Sequence, residues 1–279
     1  MIDHLHLDHV AVAAESQALT WRRYGGDLPG RFLGGGVFPG FANYQVEYAG
    51  GMRLEVLEPA MVEANDFLRR FLDRSGPGPH HLTYKVDDIE AALVQVERAG
   101  YRPIGVSLDG DSWKELFLHP RDIPGIVVQI AWAGPERPEP ALPPFPPRRV
   151  PEDAALERVV HAVADMDEAL RLFAGLLGGS TRDRGEDADG RWVELAWQGG
   201  GVLRLVTPAA ETTLLTDWIG DRSGRLHHLA FATTDPGGVN GAVALEGPDE
   251  LTWEVPPGAN LGVRLRLRAP DHPAEVPGV

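Results

Sequence analysis

Four stretches of this chain open a strand in nearly the same way. Leu7-Asp8-His9-Val10-Ala11-Val12 is echoed by His80-His81-Leu82-Thr83-Tyr84-Lys85-Val86, then by Leu156-Glu157-Arg158-Val159-Val160-His161 and by His227-His228-Leu229-Ala230-Phe231. A strand that recurs in a repeated unit carries each of its positions to an equivalent place every time. One such position runs His9, His81, Arg158, His228. The chain is therefore expected to repeat one small unit, with a polar site in the copies that keep histidine.

The length and composition suit that plan. A chain of 279 residues, 43% of them hydrophobic, can bury a full core and make two ordinary domains. Proline crowds the stretch from Gly134-Pro135 to Pro146-Pro147, which blocks helix and sheet. The expected organisation is a first domain over 1–133, a linker over 134–154, a second domain over 155–270 and a tail over 271–279. A net charge of −15 argues against nucleic acid or an anionic membrane as partner. The lack of cysteine removes disulfides, thiolate nucleophiles and cysteine-ligated zinc. The N-terminus is acidic where a signal peptide would be basic, and no apolar run is long enough to span a membrane. A cytoplasmic monomer or homodimer acting on a small molecule is expected.

Strand and helix patterns alternate. After the His9 strand, Ser16 to Tyr24 reads as a short helix capped by Ser16. Asn43–Tyr48 and Met52–Leu57 read as a hairpin turning at Ala49-Gly50-Gly51. Asp66 to Asp73 is a short helix. Ile89, Ala92, Leu93, Val96 and Ala99 form one helical stripe, started by Asp87 or Asp88 and stopped by Gly100. Strands follow at Trp113–Leu118 and Ile126–Trp132. The second half repeats this order, but Asp235-Pro236-Gly237-Gly238 interrupts its last helix.

The first half resembles the vicinal oxygen chelate superfamily, which includes glyoxalase I, bleomycin-resistance proteins, extradiol dioxygenases and methylmalonyl-CoA epimerase. The resemblance rests on Leu7-Asp8-His9-Val10-Ala11-Val12, Arg53-Leu54-Glu55-Val56-Leu57-Glu58-Pro59 and Gly78-Pro79-His80-His81-Leu82. Val86-Asp87-Asp88-Ile89-Glu90-Ala91-Ala92, Phe117-Leu118-His119-Pro120 and Val127-Val128-Gln129-Ile130 extend it. It implies an α+β fold of tandem domains, each of two βαβββ modules closing into a curved mixed sheet, or cup. It also implies one divalent metal in the first domain.

Strand alternation independently selects four inward residues. Val10 and Val12, Leu54 and Val56, Leu82 and Tyr84, and Val128 and Ile130 leave His9, Glu55, His81 and Gln129 on the opposite face. Two imidazoles, a carboxylate and an amide oxygen suit zinc, nickel, cobalt, manganese or ferrous iron. His80, next to His81, should turn away from the cup. The second half changes this set. An offset of 149 residues carries His9 to Arg158 and Glu55 to Arg204, while Gln129 corresponds to Arg266 and His81 to His228. Guanidinium does not ligate metals, so the second cup is expected to be metal-free. Its arginines would either hold an anion or pair with acids such as Glu194 or Glu47.

The expected chemistry is that of a metal-dependent lyase or isomerase, glyoxalase- or epimerase-like, on a small α-oxygenated carbonyl or thioester. In the epimerases a glutamate beside the metal moves the proton; the strand position aligned with one such glutamate here is Pro39. Glu115, and after it Glu47, are the substitute bases. Asn43, Gln45, Trp113 and Phe117 are the expected substrate contacts. A non-enzymatic antibiotic-binding or sensor protein is the alternative, and an extradiol-type dioxygenase a further one.

Overall fold

Two sheets of eight strands carry the chain, and both have the same strand order. The computed structural model describes residues 1–134, 146–187, 189–209, 214–245 and 252–270. The first half runs β1 (His6–Ala13), α1 (Gln17–Trp21), β2 (Arg31–Phe38), β3 (Gly40–Glu47), β4 (Arg53–Ala60) and α2 (Phe67–Ser75). It continues with β5 (Gly78–Lys85), α3 (Ile89–Arg98), β6 (Ile104–Ser107), β7 (Trp113–Leu118) and β8 (Val127–Ala133). The sheet order is β2-β3-β4-β1-β5-β8-β7-β6. The module openers β1 and β5 are thus antiparallel neighbours at its centre, each parallel to the last strand of its own module, β4 or β8.

The second half follows suit with β9 (Ala155–Val163), α4 (Met166–Leu170), β10 (Ser180–Glu186), β11 (Arg191–Ala196), β12 (Val202–Thr207) and α5 (Leu214–Ile219). Then come β13 (Gly224–Ala232), β14 (Val243–Leu245), β15 (Thr252–Val255) and β16 (Leu265–Arg268). The helix expected to be lost is indeed replaced by one 3-10 turn at Pro236–Gly238. The two halves share a register. Ala11 pairs with Glu55 and His81 in the first sheet, and Val160 with Arg204 and His228 in the second.

Alternation sorts the faces. Val10, Val12, Leu54, Val56, Leu82, Tyr84, Val128 and Ile130 are buried on the convex side. There α3 lays Ile89, Ala92 and Val96 against them, started by Asp88, whose side chain accepts from the Ala91 N–H, and ended where Gly100 takes φ +87°. Burying each large aliphatic side chain of this kind stabilises the fold by about 2 kcal/mol. The concave side instead carries α2, whose Leu68 and Leu72 cover Ala11, Ala13 and Leu57, flanked by Phe41, Phe67 and Phe71.

Several elements differ from expectation. The first helix continues beyond Trp21 as a wide π turn, Arg22–Asp27. The outer strands β2, β6, β10 and β14, along with β15 and α5, carry no pattern that the sequence reading found. Pro39, expected on a strand, sits in the turn between β2 and β3. Most of the proline-rich linker and the tail 271–279 lie outside the described residues, whereas the Arg149 and Ala154 amides donate to Gly26 and Pro29 of the first half.

The convex faces of the two halves belong to one continuous buried cluster. Tyr48 meets Phe231 at 5.0 Å and Tyr84 meets Trp197 at 5.3 Å between ring centroids. Polar contacts cross as well. Arg23 Nε donates to Asn260 Oδ1 at 3.0 Å, and His161 Nε2 bonds to the Pro124 carbonyl. Among the described residues no helix is long and apolar enough to cross a membrane.

Candidate metal centre

His9 on β1, Glu55 on β4 and His81 on β5 converge on the concave face of the first sheet. Their ligand atoms all lie within 4.8 Å of one another, and all three side chains are buried. One carboxylate oxygen, Glu55 Oε2, stands 3.4 Å from His9 Nε2 and 3.6 Å from His81 Nε2. These separations are long for hydrogen bonds, and both Nε2 atoms are buried without a hydrogen-bond partner. Leaving a buried polar atom unbonded costs about 1–3 kcal/mol, so the fold tolerates a sizeable penalty here.

The rest of each ligand is held. Asp8 Oδ2 lies 2.8 Å from His9 Nδ1, and His80 Nδ1 lies 2.8 Å from His81 Nδ1. Glu55 Oε1 accepts from Asn43 Nδ2 at 2.6 Å and from Gln45 Nε2 at 3.2 Å. Every outer atom is thus engaged, and every inner atom is turned toward one point. An arrangement of this kind orients imidazole and carboxylate ligands around a cation.

Two irregularities in the strands make it possible. The β1–β5 pairing slips at Asp8 and again at His80. A bulge lets neighbouring side chains share a face that alternation would deny them. Asp8 therefore reaches its own neighbour's ring, and His80, expected to turn from the cup into the core or behind the ligands, packs on Phe71 at 4.7 Å and stands behind His81. Asp8 also carries Arg53 at 3.0 Å and Lys85 at 3.3 Å. Sequence reasoning missed Asp8, although Leu7-Asp8-His9 places a carboxylate beside the proposed ligand.

The electrostatics follow from the geometry. Burial works to lower the His9 pKa, but Glu55 and Asp8 overcome it and raise it to about 9. Burial would raise the Glu55 pKa, but His9 first, then His81 and Asn43, bring it down to about 2. His81 is pushed well down by burial, with His80 and His9 adding to the effect, so its ring is neutral. Asp8 stays ionised because the His9, Lys85 and Arg53 contacts outweigh its burial.

Gln129, on β8, is buried beside this trio. Its Oε1 accepts from Thr83 Oγ1 at 2.5 Å, and its Nε2 donates to Glu115 Oε2 at 2.7 Å. The same Glu115 oxygen accepts from Trp113 Nε1 at 2.7 Å. Phe117 pairs with Gln129 across β7 and β8. Glu115, Trp113 and Phe117 therefore line the concave face next to the cluster. Asn43 and Gln45, the expected substrate contacts, hold Glu55 Oε1 on the same face. Glu47 lies at the other end of the face, tied to Arg31 at 2.7 Å and Arg53 at 3.1 Å. Those guanidiniums more than offset its burial and keep its carboxyl below the usual range.

In the second sheet Arg158 and Arg204 lie at the His9 and Glu55 positions and share Glu194, at 3.5 and 3.1 Å. Arg266, at the Gln129 position, pairs with Glu254 at 3.0 Å. Glu194 is thus the partner that the sequence suggested, while Glu47 pairs within its own half.

Residues 8–117 match the profile of the glyoxalase/bleomycin resistance protein/dioxygenase superfamily. The first half of the chain is similar to that superfamily over this stretch. A curated relative, the ethylmalonyl-CoA/methylmalonyl-CoA epimerase of Cereibacter sphaeroides, is 32% identical over 82 residues, covering 28% of this chain and 60% of that protein. Two solved structures follow nearly the whole chain. A mutant of 4-hydroxymandelate synthase from Streptomyces coelicolor aligns with TM-score 0.64 at 12% identity, over 94% of this chain and 91% of its own. A hypothetical protein from Staphylococcus aureus aligns with TM-score 0.58 at 12% identity, over 95% and 100%. At that identity they show the fold alone. They extend the likeness in fold across both halves.

Proposed function

We propose that the first half is a divalent-metal site and that the protein is a metal-dependent lyase or isomerase of the glyoxalase and epimerase type. Its substrate is a small α-oxygenated carbonyl compound or thioester. One observation carries this reading: two buried imidazole nitrogens without hydrogen bonds face a single carboxylate oxygen. A nitrogen and oxygen set of this kind fits zinc, nickel, cobalt, manganese or ferrous iron. His9, Glu55 and His81 would hold the ion, with the Gln129 oxygen as a fourth donor. The bound ion supplies Lewis acidity, which makes the carbon next to a chelated carbonyl more acidic.

The chain supplies the remaining parts. The carboxylate of Glu115 lies one hydrogen bond from Gln129 and is oriented by Trp113, so it serves as the base that takes the substrate proton. Glu47 is a poorer base because two guanidiniums hold its charge. The apolar wall of α2, with Phe67 and Phe71, limits water at one end of the face. The epimerase relative makes methylmalonyl-CoA the first substrate to try.

The test has two parts. Metal analysis of the purified protein should find about one equivalent per chain, lost in both His9→Ala and His81→Ala. Incubation of metal-loaded protein with methylmalonyl-CoA and smaller 2-hydroxy and 2-oxo carbonyl compounds in deuterated water should exchange the α-proton of at least one. Unchanged metal in both variants would reject the site. Bound metal with no exchange on any of these compounds would reject the enzymatic reading and leave a metal-dependent binding protein.

A further inference from the structure

The concave face of the second sheet concentrates positive charge in a protein whose net charge is −15. Glu194 alone serves Arg158, Arg182 and Arg204, at 3.5, 3.8 and 3.1 Å. Glu254 alone serves Arg264 and Arg266, at 3.5 and 3.0 Å. Among the described residues, two carboxylates therefore stand against five guanidiniums. By contrast, Arg268 and Glu157 form a separate two-pronged pair, at 2.8 and 2.6 Å.

The register sets these groups around a gap. Ala230 on β13 pairs with Arg158 on β9 on one side and with Arg266 on β16 on the other. The two arginines thus rise from strands flanking a residue with almost no side chain, about 10 Å apart at their Cα atoms. One row along, Val160 on β9 and His228 on β13 together separate Arg204 on β12 from Arg264 beside β16. The His227 ring is engaged with His228 Nδ1 at 2.9 Å, and burial keeps both rings neutral, so neither adds charge or supplies a counter-ion. Trp192 and Trp218 back the guanidiniums, with Arg204 4.1 Å from one ring and Arg264 5.0 Å from the other. Stacked guanidiniums keep their edge N–H groups directed outward.

We propose that this face binds a small oxyanion, a phosphate or carboxylate group, between Arg158 and Arg204 on one side and Arg264 and Arg266 on the other. The charges left over by Glu194 and Glu254 would be met by the ligand. Arginine forks fit either group in bidentate fashion. The position is equivalent to the metal centre of the first half, so the same pocket geometry would be used with its charge inverted.

The full-length protein is titrated with inorganic phosphate and, separately, with malonate, each against sodium chloride at matched ionic strength, with the thermal midpoint and calorimetric heat as readouts. Either anion should raise the midpoint in a saturable manner where chloride does not. Saturation by phosphate alone would assign a phosphoryl ligand, and saturation by malonate alone a carboxylate. Arg266→Gln should weaken binding roughly tenfold, as loss of a charge-assisted bond does. Glu254→Gln, which removes a competing carboxylate, should tighten it several-fold, so the proposal stays testable even where an arginine variant folds poorly. No saturable effect beyond chloride, or the same affinity in Glu254→Gln and Arg266→Gln as in the parent, would overturn it.

Discussion

Asp8 and His9 are consecutive residues of one strand, yet the carboxylate of the first lies 2.8 Å from Nδ1 of the second. The slip in strand pairing at Asp8 produces the contact, and the contact turns His9 Nε2 toward Glu55. Asp8→Asn keeps the shape and removes the charge. It should lower metal affinity about 10- to 100-fold, as loss of a carboxylate behind a ligating histidine does. Competition with a chromophoric chelator measures this directly. Unchanged affinity would reduce Asp8 to a partner for Arg53 and Lys85.

Glu115 should be separable from metal binding. Glu115→Gln retains a hydrogen-bonding group for Gln129 and Trp113 but cannot take a proton. Metal content should stay at the parental level, while α-proton exchange falls by 10²-fold or more, a typical contribution of a general base. Exchange at the parental rate would move the role to another group.

His161 predicts a pH effect away from the His9, Glu55 and His81 cluster. Burial lowers its pKa to about 4, only partly countered by the Pro124 carbonyl. The folded protein then holds the ring neutral while the unfolded chain protonates it near pH 6.5. Stability is unaffected above that value, falls as the pH drops from 6.5 to 4, and levels off below. The slope from this one group is about 1.4 kcal/mol per pH unit within the window. In His161→Asn, denaturant unfolding at several pH values should show a slope shallower by that amount. An equal slope would mean that the ring titrates alike in both states.

Gly125 should tolerate no side chain. It has φ +69°, and an added Cβ would come within 1.8 Å of the Gly224 carbonyl oxygen in the other half. Backbone meets backbone there, so neither side can yield. Gly125→Ala should cost about 3 kcal/mol or more. Gly220→Ala, at φ +58° with nothing within 4 Å, should cost only the backbone strain, about 1–2 kcal/mol. Equal losses in thermal unfolding would show that the two halves do not depend on this approach.

Much of this centre could be read from the chain because strand alternation and repetition act together. Val10 and Val12 expose His9 on the far face, and the offset linking His9 to Arg158 matches the observed pairing of Ala11 with Glu55 and of Val160 with Arg204. What escaped detection breaks that alternation. Asp8 and His80 sit where the pairing slips, so a period of two misplaces them. In β2, Gly34-Gly35-Gly36 erases the pattern, and every residue of β10 is exposed, so no apolar face marks it. Asn43 and Gln45 were legible as polar residues of this face, but their hydrogen bonds to Glu55 are revealed only by distances.

The seam between the halves has a consequence for the arginine-bearing part of the chain. With Tyr48 against Phe231 and Tyr84 against Trp197, each half covers aromatic surface of the other. Expressed alone, residues 1–134 would present those aromatic surfaces to solvent and aggregate or demand a substitute. The polypeptide therefore carries its own permanent chaperone, one whose rear surface is committed to support while its front stays free for other business.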